Sequence, residues 1–94
     1  MEDVKEKVRE YAEQALKELV EEGPTQPQVQ VVGVECRGDE GGSGRTTCAV
    51  SFNRWPSPAV IRIEFALREG DGEKVRRANV DEIKRAFNKK VYGT

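Results

Sequence analysis

Histidine is absent from this chain of 94 residues, and cysteine occurs only twice. Without histidine, the chain lacks the side chain that most often serves as a general base and as a metal ligand. Two cysteines cannot by themselves close the four-ligand site of a structural zinc ion. The sequence also contains no glycine-rich phosphate-binding motif and no nucleophile elbow. We therefore predict a protein that is not an enzyme and that holds no metal or cofactor of its own.

Long apolar runs are missing as well, since charged residues are 35% of the chain and interrupt the hydrophobic ones throughout. A membrane-spanning helix needs roughly 20 consecutive apolar residues. The first five residues lack the basic start and the apolar stretch of a secretory signal. We expect no membrane insertion and a monomer with a single domain over residues 1–94. Cytoplasmic expression is expected unless the protein acts outside the cell.

Hydrophobic periodicity predicts one long helix followed by three strands. Apolar residues recur at three- and four-residue steps over about 2–22, which indicates an amphipathic helix. Alternating apolar and polar residues predict strands over about 29–36, 46–53 and 59–69. Proline and glycine separate these segments, as they do where the chain turns.

The end of the chain predicts a second helix. Residues 73–78 have a poor pattern that leaves open a short edge strand. Asn79 then has the features of an N-cap, with Glu82 three residues later to complete a capping box, and a helix follows over about 80–90. The predicted fold class is α+β with the order α-β-β-β-(β)-α. Two helices pack on one face of an antiparallel sheet, because each has one apolar stripe to bury.

The first predicted strand changes the phase of its apolar alternation near Val32-Gly33. A β-bulge at this point would turn four side chains to the core face: Val29, Val31, Val34 and Cys36. Cys36 would then lie opposite Cys48 in a hairpin centred on Gly42. We predict a disulfide between these two cysteines, and the alternative is a pair of reduced thiols in the core.

The loop between the cysteines begins with Arg37-Gly38-Asp39. This tripeptide resembles the integrin-recognition motif of extracellular matrix proteins and of disintegrins, and the resemblance covers these three residues only. It implies that Arg37 enters an acidic pocket on the integrin α subunit. It also implies that the Asp39 carboxylate completes the coordination of a divalent cation that the β subunit supplies, while Gly38 keeps the two charges apart. The expected partner-binding residues are therefore Arg37, Gly38 and Asp39.

Two other interpretations stay open. The Glu- and Lys-rich first helix and the tract Gly41-Gly42-Ser43-Gly44 resemble a de novo designed or engineered mini-protein, which implies a scaffold or small interaction module without a ligand.

The α-β-β-β-α order is also similar to that of double-stranded-RNA-binding domains. Seven basic residues lie late in the chain: Lys74, Arg76, Arg77, Lys84, Arg85, Lys89 and Lys90. Against phosphate binding, the segment 79–82 is acidic and the sequence pI is about 5.6.

Overall fold

The structure, a computed structural model, describes residues 2–22, 29–38, 46–54, 59–70 and 72–93. Its elements are α1 (Glu2–Glu21), β1 (Val29–Gly38), β2 (Thr46–Arg54), β3 (Ala59–Leu67) and α2 (Glu73–Tyr92). The strands form one antiparallel sheet in the order β1-β2-β3. Helix α1 lies over β1, α2 lies over β3, and the two helices contact each other. The predicted α+β fold, with both helices on one face of the sheet, is confirmed.

The core lies between the helices and the sheet and follows the predicted alternation. Central strand β2 contributes Cys48, Val50 and Phe52, which are all 0% exposed. The ring of Phe52 meets that of Phe87 on α2 edge to face, with a centroid distance of 5.1 Å. Such an aromatic pair contributes about 0.5–1.5 kcal/mol beyond its buried area. The other buried apolar residues of this core are Val8, Ala12, Ala15, Leu16, Leu19, Val29, Ile63, Phe65, Val80 and Ile83.

The predicted bulge in β1 is present. Val31 pairs with Phe52 and Gly33 pairs with Ser51, so Val32 is the extra residue between two regular parts of the ladder. The extra residue restores the phase, and four side chains of β1 therefore belong to the core or pack against it: Val29, Val31, Val34 and Cys36. Val32 itself is 49% exposed. Because of the bulge, β1 turns odd-numbered residues to the core before it and even-numbered residues to the core after it.

Helix α2 begins earlier than predicted, and the strand considered for residues 73–78 is wrong. The helix starts after Gly72, whose φ of 107° lies in the left-handed region that favours glycine. Residues 73–78 are mostly strong helix formers, and Val75 aligns at four-residue steps with Asn79 and Ile83. The helix also extends past the predicted residue 90, and ends where the N–H of Gly93 donates to the carbonyl oxygen of Lys89 at 2.9 Å.

Asn79 is a buried side chain inside α2, so the predicted N-cap and its capping box with Glu82 are wrong. Asn79 is 0% exposed. Its Oδ1 accepts from the backbone N–H of Arg68 at 2.9 Å, and its Nδ2 donates to the carbonyl oxygen of Arg68 at 3.1 Å. One amide side chain therefore satisfies both backbone groups of the residue after β3, as a neighbouring strand would. Glu82 instead accepts a hydrogen bond from Arg85 at 3.0 Å.

Candidate functional site

The hairpin of β1 and β2 carries the tripeptide, which begins in the last two residues of β1. Cys36 lies directly opposite Cys48, and the next pairs are Arg37 with Thr47 and Gly38 with Thr46. The two strands therefore stay paired up to residues 38 and 46, and residues 39–45 connect them. This register confirms the predicted hairpin, and its predicted centre, Gly42, lies outside the described residues.

A disulfide joins Cys36 to Cys48, which confirms the predicted bridge. The two Cα atoms are 4.1 Å apart, as expected for directly opposed residues of an antiparallel pair. Cys48 is fully buried, and Cys36 is partly buried against the same core. The bridge therefore bonds β1 to the buried Cys48 of β2 at the residue that directly precedes Arg37.

Arg37 and Gly38, the first two residues of the tripeptide, are the last two residues of β1, and both are exposed. Among the described residues, no hydrogen bond or ion pair engages the guanidinium of Arg37. Asp39, the third predicted binding residue, lies outside the described residues. The structure thus places the arginine of the motif at the loop end of the hairpin, beside the bridge.

The described residues do not require glycine at position 38. Its φ does not lie in the left-handed region, and a Cβ atom built there would meet no other atom within 4 Å. Glycine within a strand weakens the strand, because its backbone loses more conformational entropy on folding than that of other residues. The packing of the described residues therefore leaves room for a side chain at position 38.

The face of the sheet opposite the helices is polar around Arg37. A depression of about 130 Å³ lies there, lined by Glu35, Cys36, Arg37, Thr47, Ala49, Arg62 and Glu64. Arg62 approaches Glu35 and Glu64 at 3.8 Å each, and all three side chains are more than half exposed. Exposed pairs of this kind contribute about 0–1 kcal/mol. The depression is smaller than the roughly 300–1,000 Å³ of pockets that bind small molecules.

A second cluster of charged side chains joins the two helices. Glu18 on α1 accepts hydrogen bonds from Arg77 on α2 at 2.6 and 3.0 Å and from Lys84 at 3.2 Å. Lys84 also donates to Glu22 at 2.6 Å, and Arg77 also donates to Asp81 at 3.0 and 3.2 Å. Glu18 and Lys84 are 16% and 17% exposed. The forked contact between Glu18 and Arg77 is the geometry that makes such pairs strong.

These contacts shift the pKa values of the groups involved. The hydrogen bond from Arg77 is the main cause that lowers the pKa of Glu18 from 4.5 to about 2, against the opposing effect of desolvation. The hydrogen bond to Glu22 raises the pKa of Lys84, and the one to Glu18 raises the pKa of Arg77. Three of the seven late basic residues, Arg77, Lys84 and Arg85, are thus paired with carboxylates of this chain. This pairing disfavours the double-stranded-RNA-binding interpretation.

Glu18→Gln is expected to lower the free energy of unfolding by about 1–2 kcal/mol at pH 7, after a discount for solvent screening around the half-exposed Arg77. Because the folded pKa of about 2 lies below the ordinary value of 4.5, the stabilisation is complete above about pH 5 and is lost as the pH falls through 4.5 toward 2. Urea denaturation from pH 7 to pH 3 measures both effects. Glu13→Gln, an exposed change on the same helix, should leave the stability unchanged, and equal losses in the two variants would refute the prediction.

The described residues contain no cluster of three or more potential metal ligands. None of the helices in the described part of the chain is both long and apolar enough to cross a membrane. Comparisons with protein families, with curated proteins and with solved structures find no match to this chain.

Proposed function

We propose that this protein is a non-enzymatic binding module that presents Arg37-Gly38-Asp39 to an integrin from the end of a disulfide-closed hairpin. The observation that carries the proposal is the position of Arg37. It is exposed, it has no ion pair among the described residues, and it follows the Cys36–Cys48 bridge by one residue. A guanidinium without an ion pair to any described residue is available to a carboxylate of a partner.

In this mode of binding, the two charges of the tripeptide act on different subunits of the receptor. The guanidinium of Arg37 pairs with a carboxylate of the α subunit in the planar fork geometry of arginine. The carboxylate of Asp39 supplies an oxygen ligand to the divalent cation of the β subunit, because hard cations prefer oxygen. The strand pairing and the bridge hold the backbone of Arg37 before the partner arrives, which reduces the ordering cost of binding.

Gly38 supports the same proposal. Among the described residues, neither a packing contact nor a left-handed φ requires glycine at this position. A binding role supplies one, because the absence of a side chain keeps the arginine and the aspartate separate and lets the receptor approach the backbone.

The proposal places the protein outside the cell when it acts, and the disulfide suits an oxidising compartment. A de novo designed or engineered origin fits the regular helix stripe and the glycine-serine tract, and it is compatible with this use. If no integrin binds, the fallback is a scaffold or small interaction module without this ligand.

Binding of the oxidised protein to a panel of integrin ectodomains in magnesium tests the proposal. We expect binding that EDTA abolishes, because Asp39 acts through the cation. Asp39→Ala and Arg37→Ala should each weaken binding by roughly 30-fold or more, the effect of removing a hot-spot residue.

The matched control is Arg62→Ala, which removes an exposed cation from the same face of the sheet but not from the tripeptide. It should leave the affinity unchanged. Binding that persists in EDTA or in Asp39→Ala, or no binding to any integrin of the panel, would reject the proposed function.

A further inference from the structure

At standard dimensions, a layer of two helices is about one strand wider than a sheet of three strands. Two helices side by side span about 20 Å, whereas three strands at their normal spacing span about 14 Å. In this molecule α1 lies over β1 and α2 lies over β3, and these are the two outer strands. Each helix therefore extends beyond the edge of the sheet. One additional strand would bring the sheet to about 19 Å, which matches the helical layer.

Each overhanging helix leaves a groove beside an edge strand. The groove between α1 and β1 has a volume of about 540 Å³, and the groove between α2 and β3 has a volume of about 590 Å³. Within the described part of the chain, neither β1 nor β3 pairs with a strand on its outer side. An unpaired edge presents a row of backbone donors and acceptors to any strand that approaches it.

Strand β3 offers the more regular of the two edges. Its pairing with β2 runs without a register shift from Ala59 to Leu67. The pairing of β1 is interrupted by the bulge between Val31 and Gly33, and bulges are among the devices that protect sheet edges from further pairing. Strand β3 contains no proline, and its two charged residues, Arg62 and Glu64, pair with each other. An incoming strand would therefore meet less resistance at β3.

The groove beside β3 has an apolar floor and a basic rim. Ile63, which is 3% exposed, and the half-buried Ala86 form the floor. Lys89 and Lys90 form its rim, while Arg62 and Glu64, which also line the groove, pair with each other at 3.8 Å. Among the described residues, no ion pair engages Lys89 or Lys90. The site therefore fits an extended segment that has small apolar side chains toward the floor and carboxylates toward the lysines.

From this geometry we propose that β3 and α2 form a docking site for an extended acidic peptide of a partner protein, which adds to the sheet as a fourth strand beside β3. A second copy of this chain fits less well. It would bring two more helices, and four helices would span about 40 Å over six strands that span about 29 Å. Pairing of β3 with its own copy would also oppose the two sets of basic side chains.

A blocked nine-residue peptide of alternating glutamate and valine serves as the probe. At saturation, we expect amide hydrogen exchange in β3 to slow about tenfold, because a paired edge strand opens less often. Lys89→Glu combined with Lys90→Glu should weaken binding about tenfold. The same peptide with alternate amides N-methylated cannot pair and should not bind, and a lysine-valine peptide should not bind either.

The matched control is Lys5→Glu combined with Lys74→Glu, which makes the same change of net charge at two exposed lysines outside the groove. It should bind the acidic peptide about as well as the unmodified protein does. The proposal is overturned by exchange protection in β1 instead of β3, by equal binding of the N-methylated or lysine peptide, or by no binding at millimolar peptide. A dimer in sedimentation whose β3 amides are protected from exchange without any peptide would also overturn it.

Discussion

Replacing Cys36 and Cys48 together with alanine is expected to lower the free energy of unfolding by about 3 kcal/mol. The bridge joins residues 12 positions apart, and the loss of loop-closure entropy in the unfolded chain gives about this value in the chain-entropy model. This is a large part of the stability of a domain of this size, which is about 5–15 kcal/mol. Urea denaturation of the oxidised protein and of C36A/C48A measures the difference.

The reduced protein is the control for this variant, because reduction breaks the bridge and keeps both sulfur atoms in place. Cys48 is fully buried, so the alanine variant also leaves a small cavity. The reduced protein should therefore lose slightly less stability than C36A/C48A. Equal urea midpoints for the oxidised and the reduced protein would contradict the prediction.

The bridge is also expected to matter for the proposed binding function. Arg37 follows Cys36 directly and pairs with Thr47, the neighbour of Cys48. Reduction should therefore speed amide exchange at the end of the hairpin more than in the middle of β2. If the hairpin end is less ordered, a partner has to order it on binding, so the reduced protein should bind an integrin more weakly.

Local sequence patterns predicted most of the fold. The stripe of α1 and the alternation of β2 and β3 reflect side-chain periods that hold wherever one face is buried. The bulge of β1 was also predictable, because a single extra residue reverses the parity of every later side chain. The register that brings Cys36 opposite Cys48 follows from the bulge and from the parity of β2. The disulfide could therefore be predicted from sequence before any contact was known.

The features that sequence did not reveal depend on contacts between distant segments. Asn79 is a polar residue within the apolar stripe of α2. Because its hydrogen bonds to the backbone of Arg68 cannot be seen in the sequence, it was interpreted as the start of a helix. The pair of Glu18 and Arg77 spans 59 residues, and many other pairings of the charged side chains are equally compatible with the sequence. The groove beside β3 depends on where the helices lie across the sheet. At the candidate site, the sequence indicated the exposed end of the hairpin. It did not indicate that the described residues leave room for a side chain at position 38.

Asn79→Ala is expected to lower the free energy of unfolding by about 2 kcal/mol. The change removes two hydrogen bonds to the backbone of Arg68 and leaves both backbone groups without their partner, at a cost that exceeds the gain in helix propensity. Asn88→Ala is the matched control in the same helix, because its Oδ1 is buried without a hydrogen-bond partner among the described residues. Asn88→Ala should be neutral or stabilising by about 0.5 kcal/mol. Thermal and urea denaturation of the two variants measure the contrast.

The variant Asn79→Asp distinguishes the buried, hydrogen-bonded Asn79 of the structure from the N-cap that the sequence indicated. An aspartate can accept from the N–H of Arg68, but when ionised it cannot donate to the carbonyl oxygen, and it is buried beside that oxygen. We expect a loss of about 3 kcal/mol at pH 7. Burial raises the pKa of the introduced carboxyl above its unfolded value, so the loss grows as the pH rises above about 4 and is largely recovered below it, where the protonated acid can donate. An N-cap would respond in the opposite way, because aspartate caps a helix well at pH 7. Unchanged or increased stability of Asn79→Asp at pH 7 would therefore restore the capping interpretation and contradict the buried hydrogen bonds.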